Sequence, residues 1–453
     1  MVQRERLLTL AGRAKNSPLI DLPLRYWPVA RFKVRRALQR FEEADPLARR
    51  ALAEAFTARV LHRARQTPHG RSLGTRLVDW PILTKDIVRD AADSFVMPGI
   101  VRIPAGTGGT TGIPLRLWRS AENVAAEQAF LDHVLMPYGR AMGGARLAIL
   151  RGEVIKPAGD RHAPFGVFTH WGRRLVLSSP HMGPDTIDWY ADTLKIFRPE
   201  LVVTYPNLAL NLLQFLRARG RSVHLPLIMS SSETLTPEVR REIEQGFGAK
   251  VIDYYGQSER VCLAIAREAD DFRFVPAYGR VELIPSPDDP VDAVGRAVRI
   301  VATGYWNDAM PLVRYDTGDR AIVPNEADSD HLDDIALGLR PFRGLAGRIE
   351  EYVLSPAGTR ICALSTIPRE LPDLLQIQIV QEALDALVIR VRARPGFGEE
   401  GCRRLVANAR LRIPPQMRID IVEVEDLERT AQGKAPLVIR RLPAIGRAAA
   451  PAA

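Results

Sequence analysis

The chain changes its hydrophobic rhythm twice along its length. Residues 28–66 carry apolar positions at helical spacing with a break at Asp45-Pro46, which predicts two helices within a helical N-terminal part, residues 1–75. From about residue 100 to 325, short apolar or β-branched runs such as Leu147–Leu150, Leu201–Thr204 and Leu227–Ser230 alternate with amphipathic stretches. Runs of four without alternation suit strands buried on both faces, and helices between them make an α/β arrangement. Pro206–Arg219 is predicted as one such helix, with Leu208, Leu212, Leu213 and Leu216 on one face and Gly220 as its stop. Pro285–Pro290 reads as a surface turn, and the acidic stretch Asn325–Asp334 as another loop. After Gly347-Arg348 the pattern is that of a smaller α+β unit, with strands near 376–381, 387–393 and 418–424 and a helix near 398–410. The expected fold class is therefore α/β: a large N-terminal domain of several subdomains over residues 1–347, and a small C-terminal α+β lid over 348–445.

Composition narrows the class. With 46% hydrophobic and 26% charged residues the chain has the make-up of a folded soluble protein. No apolar run approaches the roughly 18 residues that would span a bilayer. The N-terminal apolar stretch Leu7–Ala11 is short and followed by Arg13 and Lys15, unlike an export signal, so a cytoplasmic location is expected. The net charge of +10 is spread along the chain, with one concentration from Arg25 to Arg65. That concentration reads as a solvated helix face, and nucleic acid is not an expected partner. Cys262, Cys362 and Cys402 are far apart and give neither a disulfide framework nor a zinc site.

The basic residues are unevenly chosen: seven lysines stand against fifty-six arginines. Where arginine supplies generic positive charge, a retained lysine points to a need for a compact ammonium group. Lys434 closes Arg429-Thr430-Ala431-Gln432-Gly433-Lys434. Far upstream, Thr107-Gly108-Gly109-Thr110-Thr111-Gly112-Ile113-Pro114 follows the strand-like Val101-Arg102-Ile103. Its glycines and hydroxyls suit a loop that turns amides toward phosphate, although an ordinary flexible turn has the same composition. It matches neither the Walker nor the dinucleotide spacing. Between the two lie Ser230-Ser231-Ser232-Glu233, Asp253-Tyr254-Tyr255-Gly256-Gln257-Ser258-Glu259, Arg314-Tyr315-Asp316-Thr317-Gly318-Asp319 and Gly347-Arg348-Ile349-Glu350-Glu351.

This ordered set resembles the adenylate-forming superfamily, and within it the phenylacetate-coenzyme A ligase-like branch that includes relatives encoded with capsular-polysaccharide genes. The resemblance spans roughly residues 80–440. It implies an ATP-dependent ligase that activates an aryl or acyl carboxylate as the adenylate, with release of pyrophosphate, and passes the acyl group to a thiol. The implied cofactors are ATP and Mg2+, with coenzyme A as co-substrate. An amine, hydroxyl or carrier-protein acceptor, or a non-catalytic polysaccharide-locus protein keeping the fold, are the alternatives.

The resemblance also implies residue roles. Thr107, Gly108, Gly109, Thr110, Thr111 and Gly112 would hold the β- and γ-phosphates. Ser232, Glu233, Tyr254, Gly256 and Ser258 join the ATP site, and Tyr255 would stack on adenine. Glu259 would help bind the metal, Asp319 would accept the ribose hydroxyls, and Arg348 would touch ribose or phosphate. Lys434 would bridge the carboxylate and the α-phosphate, and Glu350 stands where relatives have the hinge aspartate. Tyr205, Pro206 and Ser230 border the expected acid pocket, with His170 and Trp171 as more distant candidates. Each has a plainer reading: Tyr254 and Tyr255 as strand aromatics, Tyr205 as a core aromatic, Asp319 as turn chemistry. Three departures stand out: Ile113 replaces a lysine common after the loop, Glu350 is longer than aspartate, and the Tyr352–Thr359 hairpin is one residue longer than in the phenylacetate enzymes. In relatives that hairpin builds the surface used in thioester formation.

Overall fold

The computed structural model describes residues 18–106, 115–153, 155–157, 159–286, 289, 291, 295–346, 352–361, 364, 367–368, 371, 373–394, 396–428 and 436–442. It opens with helices α1 (Pro18–Arg25), α2 (Pro28–Glu43) and α3 (Pro46–Ala64). The break between α2 and α3 falls at Asp45-Pro46 because Asp45 caps α3, accepting from the Ala48 amide at 2.8 Å, and Pro46 fits the first turn, where no amide partner is needed. Val34, Leu38 and Phe41 of α2 pack with Val60 and Leu61 of α3 against Trp80, Phe130 and Trp306. The short α4 (Lys85–Asp90) follows. Strands β1 (Ile103–Gly106) and β2 (Arg116–Arg119) then pair antiparallel on either side of the glycine-rich segment. Helix α5 (Ala121–Leu135) comes next, capped by Ser120.

The main sheet has eight strands. Its parallel centre is β3 (Leu147–Leu150), β5 (Arg174–Leu177), β6 (Leu201–Thr204), β7 (Leu227–Ser231) and β8 (Lys250–Gly256). β4 (Gly166–Thr169) closes one edge, and β9 (Leu263–Ala266) with β10 (Phe272–Phe274) the other, all antiparallel. The predicted runs are strands here because both faces are covered: α6 (Ile187–Phe197), α7 (Pro206–Ala218) and α8 (Pro237–Phe247) pack on one face. Val134 and Leu135 of α5 pack on the other, with Leu147, Leu201 and Met229. In register, Leu150 lies beside Thr204 and Thr204 beside Ser230. The carboxyl ends of β3, β6 and β7 therefore stop side by side. Crevices outside such ends are where open α/β sheets bind ligands.

A second, antiparallel sheet orders β11 (Gly279–Ile284), β12 (Arg296–Gly304), β13 (Tyr315–Val323) and β14 (Gly344–Ala346). The acidic stretch expected to be a loop is only partly one, because α9 (Ser329–Ala336) forms within it. Asp328 supplies the cap, accepting from the His331 amide at 2.9 Å, and Leu332, Ile335 and Ala336 bury one face. Its acidic residues are a helix start signal and a solvent face, which composition alone makes look like a loop.

The C-terminal residues build their own core. β15 (Val353–Leu354) and β16 (Arg360–Ile361) form a hairpin, and β17 (Leu374–Ala383), β18 (Ala386–Ala393), β19 (Arg418–Glu423) and β20 (Val438–Arg440) form a sheet in the order β19-β18-β17-β20. Helix α10 (Gly398–Arg410) covers that sheet through Leu405 and Ala409, and the cluster draws only on residues from Val353 onward. Polar contacts reach back to the larger part: Arg412 donates to the Gly152 carbonyl at 2.8 Å, Asn211 to the Arg360 carbonyl at 3.0 Å, and Arg360 to Asn207. Among the described residues no helix is long and apolar enough to cross a membrane.

Candidate active site

Two motifs distant in sequence meet where β8 ends beside β13. Tyr255, fully buried at the end of β8, donates its hydroxyl to Asp319 Oδ2 at 3.0 Å. Reciprocally, buried Tyr315 at the start of β13 donates to Glu259 Oε1 at 2.8 Å, so two tyrosines and two carboxylates tie the two sheets together. The backbone makes this possible locally. Gly318 turns with φ +74°, a conformation that favours glycine, and the Asp319 amide donates to the Thr317 hydroxyl at 3.1 Å. Burial, and next the Glu259 charge, push the Tyr315 hydroxyl far above its ordinary pKa, so it stays a donor. Glu259 Oε2 makes no hydrogen bond among the described residues. A half-buried carboxylate with one oxygen left over fits a hard cation that takes one or two carboxylates plus phosphate oxygens. No group of three or more His, Cys, Asp or Glu suited to a metal occurs among the described residues.

Behind this pair lies a buried hub. Glu127 on α5 accepts Tyr254 at 2.7 Å through Oε1 and Tyr278 through Oε2, with Arg260 Nε 3.4 Å from Oε2. Burial opposes ionisation, but Arg260 and the two hydroxyls outweigh it and hold the Glu127 pKa below the usual glutamate value. Arg260 also grips Asn123, at 3.1 Å on its carbonyl and 3.0 Å on its side-chain oxygen, so the residue next to Glu259 is anchored to α5. The Ser258 carbonyl accepts from Arg119 at 2.9 Å, and burial brings the Arg119 pKa down to about 10.

Between the two sheets opens a cavity of about 170 Å³, lined by Glu233, Asp253, Tyr255, Ile322 and Arg343 among others. Tyr254, Tyr255 and Glu233 were expected at a common site and line this one cavity. Ile322 and Arg343 were not foreseen. They arrive through the β13–β14 pairing, the Arg343 amide donating to the Ile322 carbonyl at 2.9 Å, and no local motif marks them.

The expected acid-pocket residues lie at the strand ends. Tyr205 follows β6, Pro206 opens α7, and Ser230 is buried with its hydroxyl unpaired among the described residues. Glu233 accepts the Asn207 amide at 3.2 Å in the first turn of α7. Sequence reasoning missed Arg151, which steps off β3: its guanidinium stacks 5.1 Å from the Tyr205 ring centroid and donates to Ser231 at 2.9 Å and Ser232 at 3.1 Å. One arginine among fifty-six carries no sequence signal. His170 and Trp171 are not brought in. They sit on the β4–β5 hairpin at the sheet edge, with Trp171 74% exposed.

A larger cleft of about 280 Å³ lies between the 179–185 segment and the 355–361 hairpin, and none of the predicted site residues lines it. Thr107 to Gly112, Arg348, Glu350 and Lys434 lie outside the described residues.

This architecture has relatives. Over 316 residues the chain is 24% identical to Protein CapK of Staphylococcus aureus, covering 68% of each. It is 26% identical over 362 residues to a phenylacetate-coenzyme A ligase of Pseudomonas putida, covering 73% of this chain and 76% of that one. A crystal structure of 2-hydroxyisobutyryl-CoA ligase in complex with 2-HIB-AMP and CoA matches with TM-score 0.50 at 17% identity, over 89% of this chain and 92% of the other. No family model matches. The fold is that of the adenylate-forming enzymes. In sequence the chain is similar to the phenylacetate-coenzyme A ligase-like branch and CapK, as its motifs led us to expect, and these relatives support an AMP-forming acid–thiol ligase.

Proposed function

We propose that this protein activates a carboxylic acid with ATP, forming an acyl-adenylate and pyrophosphate, and then transfers the acyl group to a thiol, with coenzyme A as acceptor. The observation that carries the reading is the crossed pair Tyr255–Asp319 and Tyr315–Glu259, which holds two motif carboxylates on two buried tyrosines, one of which, Tyr255, lines the cavity. In this reading the 170 Å³ cavity takes the adenosine, with Tyr255 and Ile322 against the base and Asp319 accepting the ribose hydroxyls. Tyr315 keeps Glu259 oriented, so that a magnesium ion bound there would neutralise phosphate charge as pyrophosphate leaves. The loop from Thr107 to Gly112 cradles the outer phosphates, and Arg348 adds a ribose or phosphate contact.

The acid enters beside Tyr205, Pro206 and Ser230, and Lys434 brings a point charge to the reacting carboxylate and α-phosphate. Residues 348–445 act as a lid turning about Glu350. The 280 Å³ cleft along the 355–361 hairpin supports a second pose in which the acceptor reaches the adenylate.

Exchange of labelled pyrophosphate into ATP, measured across a panel of carboxylic acids, tests the reading. Acid-dependent exchange is expected, and Lys434→Ala should lower it about a thousandfold while ATP affinity changes little. Equal loss of affinity and exchange would remove Lys434 from the chemical step.

A further inference from the structure

Basic residues run the length of the chain, but acidic ones balance them almost everywhere except at the N-terminus. Residues 1–66 hold fifteen Lys and Arg against six Asp and Glu, so nine of the ten net positive charges lie there. From Arg25 to Arg40 there are six basic residues and no acidic one. Helix stability does not explain the choice: the first turn of α2 carries no acidic residue, although the helix dipole favours one there. Arg31 and Lys33 are paired, with Asp132 at 2.7 Å and Glu122 at 2.9 Å on α5. Arg35, Arg36 and Arg40 are exposed and form no ion pair among the described residues. Glu42 and Glu43 stand at the far end of the helix, where Glu42 meets His133 at 2.9 Å and Glu43 accepts from Gln39 at 2.8 Å.

A purely solvated face would be polar, and this one is not. Trp27, which precedes α2, is 40% exposed, Val29 53% and Phe32 65%. Buried Ala30, Val34, Ala37, Leu38 and Phe41 define the inner side of the helix. Val29, Phe32, Arg36 and Arg40 recur at intervals of three and four and share the opposite side. Apolar and aromatic side chains set among unpaired cations are the pattern of a helix that lies in a bilayer interface. We propose that α2 docks this protein peripherally on an anionic lipid surface, with Trp27, Val29 and Phe32 entering between the headgroups and Arg35, Arg36 and Arg40 meeting their phosphates. Charge complementarity decides among partners. A nucleic-acid backbone would use the arginines but offer Val29 and Phe32 no apolar partner. A second copy of this chain, meeting through the same face, would set like charges against each other.

Flotation of the full-length chain with lipid vesicles tests the proposal, one set of phosphatidylcholine alone and one with about a third of phosphatidylglycerol. Wild-type protein should float with the anionic vesicles, stay behind with the neutral ones, and be released as salt screens the attraction. The triple variant Arg35→Gln/Arg36→Gln/Arg40→Gln should bind about a hundredfold more weakly, at about fivefold per charge. Val29→Ser/Phe32→Ser should lose about tenfold through apolar contact alone. All five side chains are exposed, so both variants should unfold within a degree or two of wild type. No flotation of wild type, equal flotation with neutral vesicles, or wild-type flotation of both variants would each overturn the proposal. So would tighter binding to duplex DNA or single-stranded RNA than to the anionic vesicles at the same salt. A dimer that Val29→Ser/Phe32→Ser dissolves in light scattering would give the face to self-association and overturn it too.

Discussion

Glu127 and Glu259 are both shielded glutamates that accept tyrosine hydroxyls, but they are satisfied to different degrees. Glu127 has both oxygens taken by Tyr254 and Tyr278 and an arginine beside them. Glu259 has one oxygen held by Tyr315 and the other without a hydrogen bond among the described residues. A fully satisfied buried carboxylate has no capacity left for a ligand, and its value lies in fixing its neighbours. A half-satisfied one is oriented and still able to bind. Under the proposed function the comparison separates scaffold from site within one stretch of chain, since Arg260, which Glu127 helps to hold, directly follows Glu259.

The largest effect should come from breaking the hub. Glu127→Gln leaves the Arg260 charge buried without its partner and should cost about 3 kcal/mol of stability at neutral pH. The acid limb should change as well. The native pKa of Glu127 is lowered, so its contribution is present in full above the ordinary glutamate value of 4.5 and is lost as pH falls through the lowered one. Denaturant midpoints across that window should show a smaller acid loss in Glu127→Gln than in wild type. Identical midpoints at neutral pH would show that the hub does not stabilise the fold.

Asp319→Asn sharpens the contrast from the other side. Asparagine can still accept from Tyr255, so thermal unfolding should hardly move, while calorimetry should find ATP bound about tenfold more weakly for loss of a charged acceptor. A lowered unfolding temperature with unchanged ATP affinity would make Asp319 a turn residue. Smallest of all, Tyr315→Phe should cost about 1 kcal/mol in denaturant titration for one buried hydrogen bond. Its rate of pyrophosphate exchange should fall only a few-fold, because the Glu259 carboxylate stays in place and loses only its brace.

Much of this layout was legible in the sequence, for definite reasons. Strands such as Leu201–Thr204 announce themselves because burial on both faces demands unbroken apolar runs. Asp45-Pro46 marks a helix boundary through chemistry local to the chain. The motif residues Glu259 and Asp319 could be singled out through the family resemblance of their motifs, but their tyrosine contacts could not, because the Tyr315–Glu259 contact spans 56 positions and comes from the meeting of two sheets. Glu127 was invisible for a similar reason: it lies in a plain helical stretch, and its importance comes from Tyr254, Tyr278 and Arg260 converging on it. Arg151 was hidden by the arginine-rich composition. Helix α9 reads as a loop in the sequence because its capping and solvent-facing aspartates carry the same charge that loops carry.

The most direct test of the distinction between scaffold and site is the magnesium dependence of pyrophosphate exchange in Glu259→Gln, measured beside its thermal unfolding without ATP. Glutamine preserves an acceptor for Tyr315 and removes the charge. The account predicts an unfolding temperature within a degree or two of wild type and a magnesium requirement raised at least about tenfold, as expected for loss of a ligand carboxylate. A clear drop in unfolding temperature with an unchanged magnesium curve would contradict it and place Glu259 with Glu127 in the scaffold.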